Sequence, residues 1–539
     1  MVRPVSFKGF QKGFQGVSLR GFRGFQVFLW ELCVCIKYLS LGEPAMGSAA
    51  FLNEAVSQLA EAYLERKQKE TGVSIPHEQR QQELQKVKML IADRNVYGID
   101  LNPTAVELAE VSLWLNTIYQ GGYVPWFRTQ IVNGNSLIGA RRQCYTLSQA
   151  QAEGPGAWYN SAPERVAPGM NRSLRKQQVY HFLLGDPGMC AYTDKVIKGL
   201  EPEKIAAINK WRKAFTKPLT DSEADDVLRL CNQIDALWDA HTQLRAEIKD
   251  KTTDPLSVWG QAQDEEHQPT TIRDKDRIYD SLYLSKGGSN ASPYARLKAV
   301  MDYWCALWFW PIDKADELPN RMEFLWDVNM LLGVGVVDTS GRKGRPEGQL
   351  SMFDDLDLDP YARELSDRYG KYGAVNLDQL RADFPRLRIA NEVAEQQKFF
   401  HWELEFSDVF ESRGGFDLVI GNPPWIKMEW NEQAVLGDRQ PLFAVKKFTA
   451  TQTTHHRTQE LKDSSTYALY FGEYEGITGQ QSFLNAVCNY PDLKGQQTNL
   501  YKCFLPQSWM FGNERGVAAF VHPEGVYDDP KCTTIQHSV

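Results

Sequence analysis

The chain has 539 residues, 24% of them charged and 42% hydrophobic, and a formal net charge of −8 at pH 7. That length supports two or three structural units, and with no uninterrupted apolar run of about eighteen residues the pattern is that of a soluble globular protein, not a membrane-spanning one. The acidic balance excludes a protein that coats nucleic acid by bulk positive charge, because neutralising phosphates takes clustered Lys and Arg; a local basic groove is still compatible with it.

Gly-Phe recurs at Gly9-Phe10, Gly13-Phe14, Gly21-Phe22 and Gly24-Phe25, ahead of an apolar stretch from Val27 to Ile36 that Glu31 interrupts. No small-residue cleavage site follows, so residues 1–40 are set apart as poorly structured or foreign to the domain. The nine cysteines are scattered, and the spacing of Cys33 and Cys35 suits neither a zinc knuckle nor a redox dithiol. Buried thiols of a cytoplasmic protein are the expectation, with no metal site.

From 41 to 140 strand and helix alternate. The turn Gly42-Glu43-Pro44-Ala45-Met46-Gly47-Ser48 opens a helix from about Ala50 to Lys69, with Phe51, Ala55, Leu59, Ala62 and Tyr63 at helical spacing. A second helix precedes the strand Val96-Tyr97-Gly98-Ile99-Asp100, and Asn102-Pro103 starts another helix, through Leu115. A third strand, Thr129 to Val132, runs into the turn-forming Asn133-Gly134-Asn135-Ser136. Two strand-turn-helix units in succession imply a parallel sheet.

Residues 141–395 show helical patterns instead of strands, such as Glu203 to Phe215 and Ser222 to Lys249, and are expected to form a large helical insertion. Within it Tyr303, Trp304, Trp308, Phe309 and Trp310 form an aromatic cluster; stacking on bases is one reading, but a packed helix core is the preferred one. The α/β pattern resumes in residues 396–539. Phe416-Asp417-Leu418-Val419-Ile420 is a buried strand, Leu500 to Phe511 a helix and Val517 to Val521 a further strand.

The strand from Phe416 ends in Gly421-Asn422-Pro423-Pro424-Trp425. Two prolines at a strand end make a stiff turn that lacks amide donors at those positions and leaves carbonyls free to accept. An amino group conjugated to a purine ring is a poor nucleophile; accepting two hydrogen bonds from it, through Asn422 Oδ1 and the Pro423 carbonyl, would direct its lone pair toward an electrophilic methyl group. Trp425 offers a flat face for an extruded base, worth about 1–3 kcal/mol against the few kcal/mol that unstacking costs.

With these residues the sequence resembles the class I DNA adenine-N6 methyltransferases, in which a D/N-P-P-Y/F/W motif follows the fourth strand. The likeness is greatest to the large restriction-modification and phage-defence methylases, through Glu43-Pro44-Ala45-Met46-Gly47-Ser48-Ala49-Ala50-Phe51, Tyr97-Gly98-Ile99-Asp100-Leu101-Asn102-Pro103 and Phe400-His401-Trp402-Glu403-Leu404-Glu405-Phe406. It implies a Rossmann-like α/β fold with a mostly parallel sheet, residues 41–140 and 396–539 forming its two parts around the insertion. It further implies S-adenosyl-L-methionine as methyl donor, adenine in double-stranded DNA as target, and restriction or defence proteins as partners.

By the same resemblance Asn422, Pro423, Pro424 and Trp425 form the catalytic motif. Glu43, Pro44, Ala45, Met46, Gly47, Ser48 and Phe51 cradle the methionine end of the cofactor, Asp100 accepts from its ribose hydroxyls, and Asn135 lies near its adenine. Asn135 stands where the family often has Asp, and its amide oxygen can still accept. Ala49 departs from the commoner Gly-x-Gly pattern and adds a methyl group where the backbone needs positive φ.

The family fold closes with a further strand pair and usually a target-recognition domain, both expected beyond the point where this chain stops, so that the domain looks truncated. Two alternatives stay open: a methyltransferase acting on protein glutamine or RNA adenine, and an inactive truncated remnant. His455, His456, Arg457, Lys446 and Lys447, in the polar segment after the motif, are candidate phosphate contacts, with solvated loop charge as the plainer reading. Neither a P-loop nor an acidic-lysine nuclease cluster stands out.

Overall fold

The computed structural model describes residues 3–4, 39–169, 175–261, 270–284, 291–333, 375–446, 448–495 and 498–528. At its centre lies a parallel sheet of β1 (Leu41–Glu43), β2 (Val96–Asp100), β3 (Ile131–Asn133), β4 (Phe416–Gly421) and β5 (Gly512–Phe520), in the order β5-β4-β1-β2-β3. Arg3–Pro4 adds a short parallel pairing on the outer edge of β5. Residues 5–38, with the Gly-Phe repeats, Cys33 and Cys35, lie outside the described residues. The ordered domain takes in Ser40, whose amide and hydroxyl donate to Asp417 at 2.8 and 2.9 Å, fastening the entry of β1 to β4.

The strands carry side chains alternately to two apolar layers, as a sheet covered on both faces requires. Leu41, Val96, Leu418 and Ile420 pack with α1 (Ala50–Thr71) and α2 (His77–Asn95) on one face. Tyr97, Ile99, Phe416 and Val419 pack on the other against Phe400, Trp402, Phe406 and Phe511. Leu52, Val56, Leu59, Ala60, Tyr63 and Leu64 form the buried stripe of α1. The expected stripe differs at three places: Phe51 is 38% exposed, and Ala55 and Ala62 are only half-buried. Helix α3 (Pro103–Thr117) starts as its sequence implies, with Pro103 in the first turn and Asn102 capping the Thr104 amide at 3.0 Å.

The insertion is not purely helical. Gln143–Thr146, Glu164–Arg165 and Gln178–Tyr180 make a three-stranded antiparallel sheet, too short and too polar to leave a period-2 signature. Its helices start with strong signals: the Thr220/Glu223 capping box opens Asp221–Thr252, and the Asn320/Glu323 box opens Arg321–Leu332. Tyr303, Trp304, Trp308, Phe309 and Trp310 are all buried in its core, as the packing reading holds. That core continues into Leu436, Phe443, Tyr470, Tyr474, Phe483 and Tyr501, so the helices after the motif close over the insertion. No helix among the described residues is long and apolar enough to cross a membrane.

Two strand boundaries differ from expectation. β3 begins at Ile131 because residues 127–130 turn back on themselves, the Gln130 and Ile131 amides both donating to the Phe127 carbonyl. β5 begins at Gly512, five residues early, because Phe416 already pairs there before the ladder shifts register.

Candidate functional site at the strand ends

Between β1 and β4 the strand order reverses direction. In an open parallel sheet ligands settle at that switch, beyond the carboxyl ends of the strands. β1 ends there on Glu43, only 1% exposed. Its carboxyl takes a hydrogen bond from the Leu52 amide in the first turn of α1, while Oε2 has no partner among the described residues. Burial pushes the acid well above its ordinary value of 4.5, and the charge of Asp100 pushes the same way.

The turn from β1 to α1 is tied to β2: the Met46 amide donates to the Ile99 carbonyl at 3.1 Å and the Gly47 amide to Asp100 Oδ2 at 2.9 Å. Gly47 and Ala49 both have left-handed backbone, φ 54° and 63°. The methyl group of Ala49 thus sits on a conformation that glycine adopts freely, and it is fully buried. Pro44 is buried, Ala45 and Gly47 are half-buried and Ser48 is exposed. Met46 points inward, its sulfur filling the space over Gly98, so it can reach a ligand only through its backbone. Phe51 stands on the open side of α1.

Asp100 ends β2, its Oδ1 accepting from the Asn102 amide at 2.9 Å. Each oxygen keeps a lone pair after its single bond to the chain. Asn133 bridges the ends of β2 and β3 by donating to the carbonyls of Asp100 and Leu101, both at 2.9 Å. Asn135 follows, half-buried, with its amide on the Lys398 carbonyl at 2.6 Å and Oδ1 accepting from Leu137 at 3.3 Å.

The Phe400–Phe406 stretch is the brace of this loop. Trp402 Nε1 donates to the Ser136 carbonyl at 2.8 Å, and His401 Nδ1 accepts from the Ala140 amide at 3.0 Å. That bond leaves the His401 proton on Nε2, facing Asp302 at 2.9 Å, and burial lowers the ring's pKa. Glu403 takes the Arg142 amide and Arg165. A side chain at Gly139 would overlap the Phe400 carbonyl, its Cβ 1.9 Å away. Composition alone gave no sign that these acids and this histidine spend themselves on a loop.

β4 ends on Gly421, with φ 155° and a Cβ position only 3.4 Å from Glu43 Cγ. The closeness joins the two halves of the site: a Cβ at this position would lie in ordinary van der Waals contact with the buried acid. Asn422 is exposed, and neither its side chain nor the Pro423 carbonyl takes a hydrogen bond among the described residues. Pro423 is buried and Pro424 half-buried. Trp425 is 54% exposed and anchored by Nε1 to the Val521 carbonyl at 3.4 Å, just past the end of β5.

A family model for the Eco57I restriction-modification methylases matches residues 94–480. The chain belongs to that family. It is a DNA methyltransferase of the restriction-modification type, and its α/β fold with a parallel sheet is the one such an enzyme requires. No curated protein and no solved structure matches it.

In this methylase Glu43, Asp100, the Gly47 turn and the Asn422 motif share one edge of the sheet, whereas the basic segment after the motif is not a free patch. Ala450–Glu460 is a helix; Arg457 is spent on Glu432 at 2.8 Å, and the His456 ring lies tilted against Phe448. Lys446 and His455 are exposed, and Lys447 lies outside the described residues. Gly421, Val521 and the Ser136 carbonyl are site elements that sequence reasoning missed; a glycine directly before Asn-Pro-Pro was the available signal for the first.

Proposed function

We propose that this methylase transfers a methyl group from S-adenosyl-L-methionine to the N6 amino group of adenine in double-stranded DNA. The observation that carries the reading is the closeness of Gly421 to Glu43, which sets the Asn422 turn beside a buried acid at the switch of the sheet. The residues suit the cofactor. Glu43 holds an unpartnered, desolvated oxygen that a cationic amino group would satisfy, and the open space beside Gly47 lets backbone approach a ligand. Asp100 has acceptor capacity for ribose hydroxyls, and Asn135 stands on the braced loop next to them.

When bound, the cofactor supplies an electrophilic methyl group on a sulfonium centre. The chain's own part is positioning. Asn422 Oδ1 and the Pro423 carbonyl accept from the two amino protons and hold the nitrogen lone pair in line; Trp425 stacks on the base. Because both acceptors are fixed by prolines and strand end, little reorganisation accompanies transfer. A cytoplasmic restriction or defence system is the setting that fits this activity.

Incubating the protein with methyl-labelled cofactor and mixed-sequence duplex DNA, then separating the nucleosides, tests the proposal. Label in N6-methyladenine is expected; label in another nucleoside, in RNA only or in protein only would overturn it.

A further inference from the structure

Directly after Trp425 comes Ile426, 57% exposed. Two large apolar residues in succession at the surface are costly for a free protein, and here the backbone that carries them is rigid. The Ile426 carbonyl accepts from the Leu500 amide at 2.9 Å, the Met428 amide donates to the Thr498 carbonyl at 3.1 Å, and Lys427 pairs antiparallel with Asn499 between them. Trp425 is pinned on the other side by its bond to Val521. The segment from Ile426 to Met428 is a fixed rib laid antiparallel against Thr498 to Leu500.

Drawing a nucleotide out of a duplex leaves a gap in the stack and a cost of a few kcal/mol, which DNA-bending proteins offset by inserting an apolar wedge. A rib that presents Trp425 and, directly beside it, an exposed stiff β-branched side chain can hold the extruded base and the vacated duplex apart. We propose that Ile426 is that wedge: it fills the gap left in the DNA while Trp425 takes the base. The proposal rests on the DNA-adenine reading above and names how that site handles a paired target. Val521, 36% exposed beside the Trp425 anchor, extends the same apolar edge.

The test compares methylation of a mixed-sequence duplex with that of the same strands separated, for the wild-type protein, Ile426→Ala and Ile426→Met. A single strand has no gap to fill. Ile426→Ala is expected to lose about tenfold or more of its duplex activity relative to single-strand activity, the scale of the unstacking cost, with Ile426→Met near wild type. Equal loss on both substrates, or no change in the ratio, overturns the wedge while leaving the adenine reading intact. A wild-type protein that methylates adenine in neither form overturns both. Circular dichroism melting, expected unchanged for this exposed position, separates a wedge effect from misfolding.

Discussion

Tryptophan does opposite work in two regions of this molecule. Trp304, Trp308 and Trp310 in the insertion are at most 1% exposed and sit among Tyr303, Phe309 and Phe483; Trp304 and Trp310 also donate their indole protons to carbonyls at 2.8 and 2.9 Å. Trp425 at the strand ends is more than half exposed, with its indole nitrogen donating to the Val521 carbonyl. The same side chain contributes stability where its whole surface is buried and is available for recognition where one face is open. One acid of the insertion also differs from the polar groups at the sheet edge: Asp327 is met by Tyr303 and Arg386, while Glu43 and Asn422 keep acceptors with no partner among the described residues.

Substitutions can break this contrast. Trp304→Ala is expected to lower stability by about 3–5 kcal/mol, the usual range for emptying a large aromatic site, read as an earlier midpoint in urea unfolding. Trp425→Ala should leave that midpoint within about 0.5 kcal/mol of wild type yet weaken DNA capture by about 1–3 kcal/mol, measured by titrating duplex at fixed salt. Equal effects of the two on stability would end the comparison.

Glu43 sharpens it through pH. Its acid is raised in the folded protein above the unfolded value of 4.5. The folded form therefore holds a proton that the unfolded chain releases, and the associated stability is present below pH 4.5 and lost as pH rises toward the folded pKa. Without cofactor, wild type is expected to lose stability relative to Glu43→Gln as pH rises above 4.5, at up to about 1.4 kcal/mol per pH unit. Melting temperatures of both proteins from pH 5 to 8 check this; a constant difference would contradict it. The smallest effect expected is that of Ala49→Gly, which relieves a left-handed alanine at φ 63° and should raise stability by about 1 kcal/mol.

Strands β2 and β4 and the Asn-Pro-Pro turn were legible because each of the two strands is an apolar run ending in a residue of distinct chemistry, Asp100 and then Asn422 after Gly421. β1 was not, because Leu41–Glu43 is only three residues long and Gly42 and Glu43 read as part of the turn before α1. The positive φ at Ala49 was legible too, from the glycine that the pattern leads one to expect. The small antiparallel sheet was not, since strands of two to four residues carry almost no periodicity. Nor was the face of α1, where Phe51 looked like core and lies open, because one turn of helix offers several equally apolar faces. Arg457 looked available along the chain and is consumed by Glu432, which only the fold brings near.

The central claim is that the sheet edge separates two tasks, holding the cofactor at Glu43 and aligning the amine at Asn422. Calorimetric cofactor binding and methyl transfer to duplex DNA, measured side by side on Asn422→Ala, test it most directly. Binding should stay within about twofold of wild type while transfer falls by about 10²–10³, the scale of removing one preorganised polar contact from a reacting centre. Transfer that survives, or cofactor binding that falls along with it, would contradict the account.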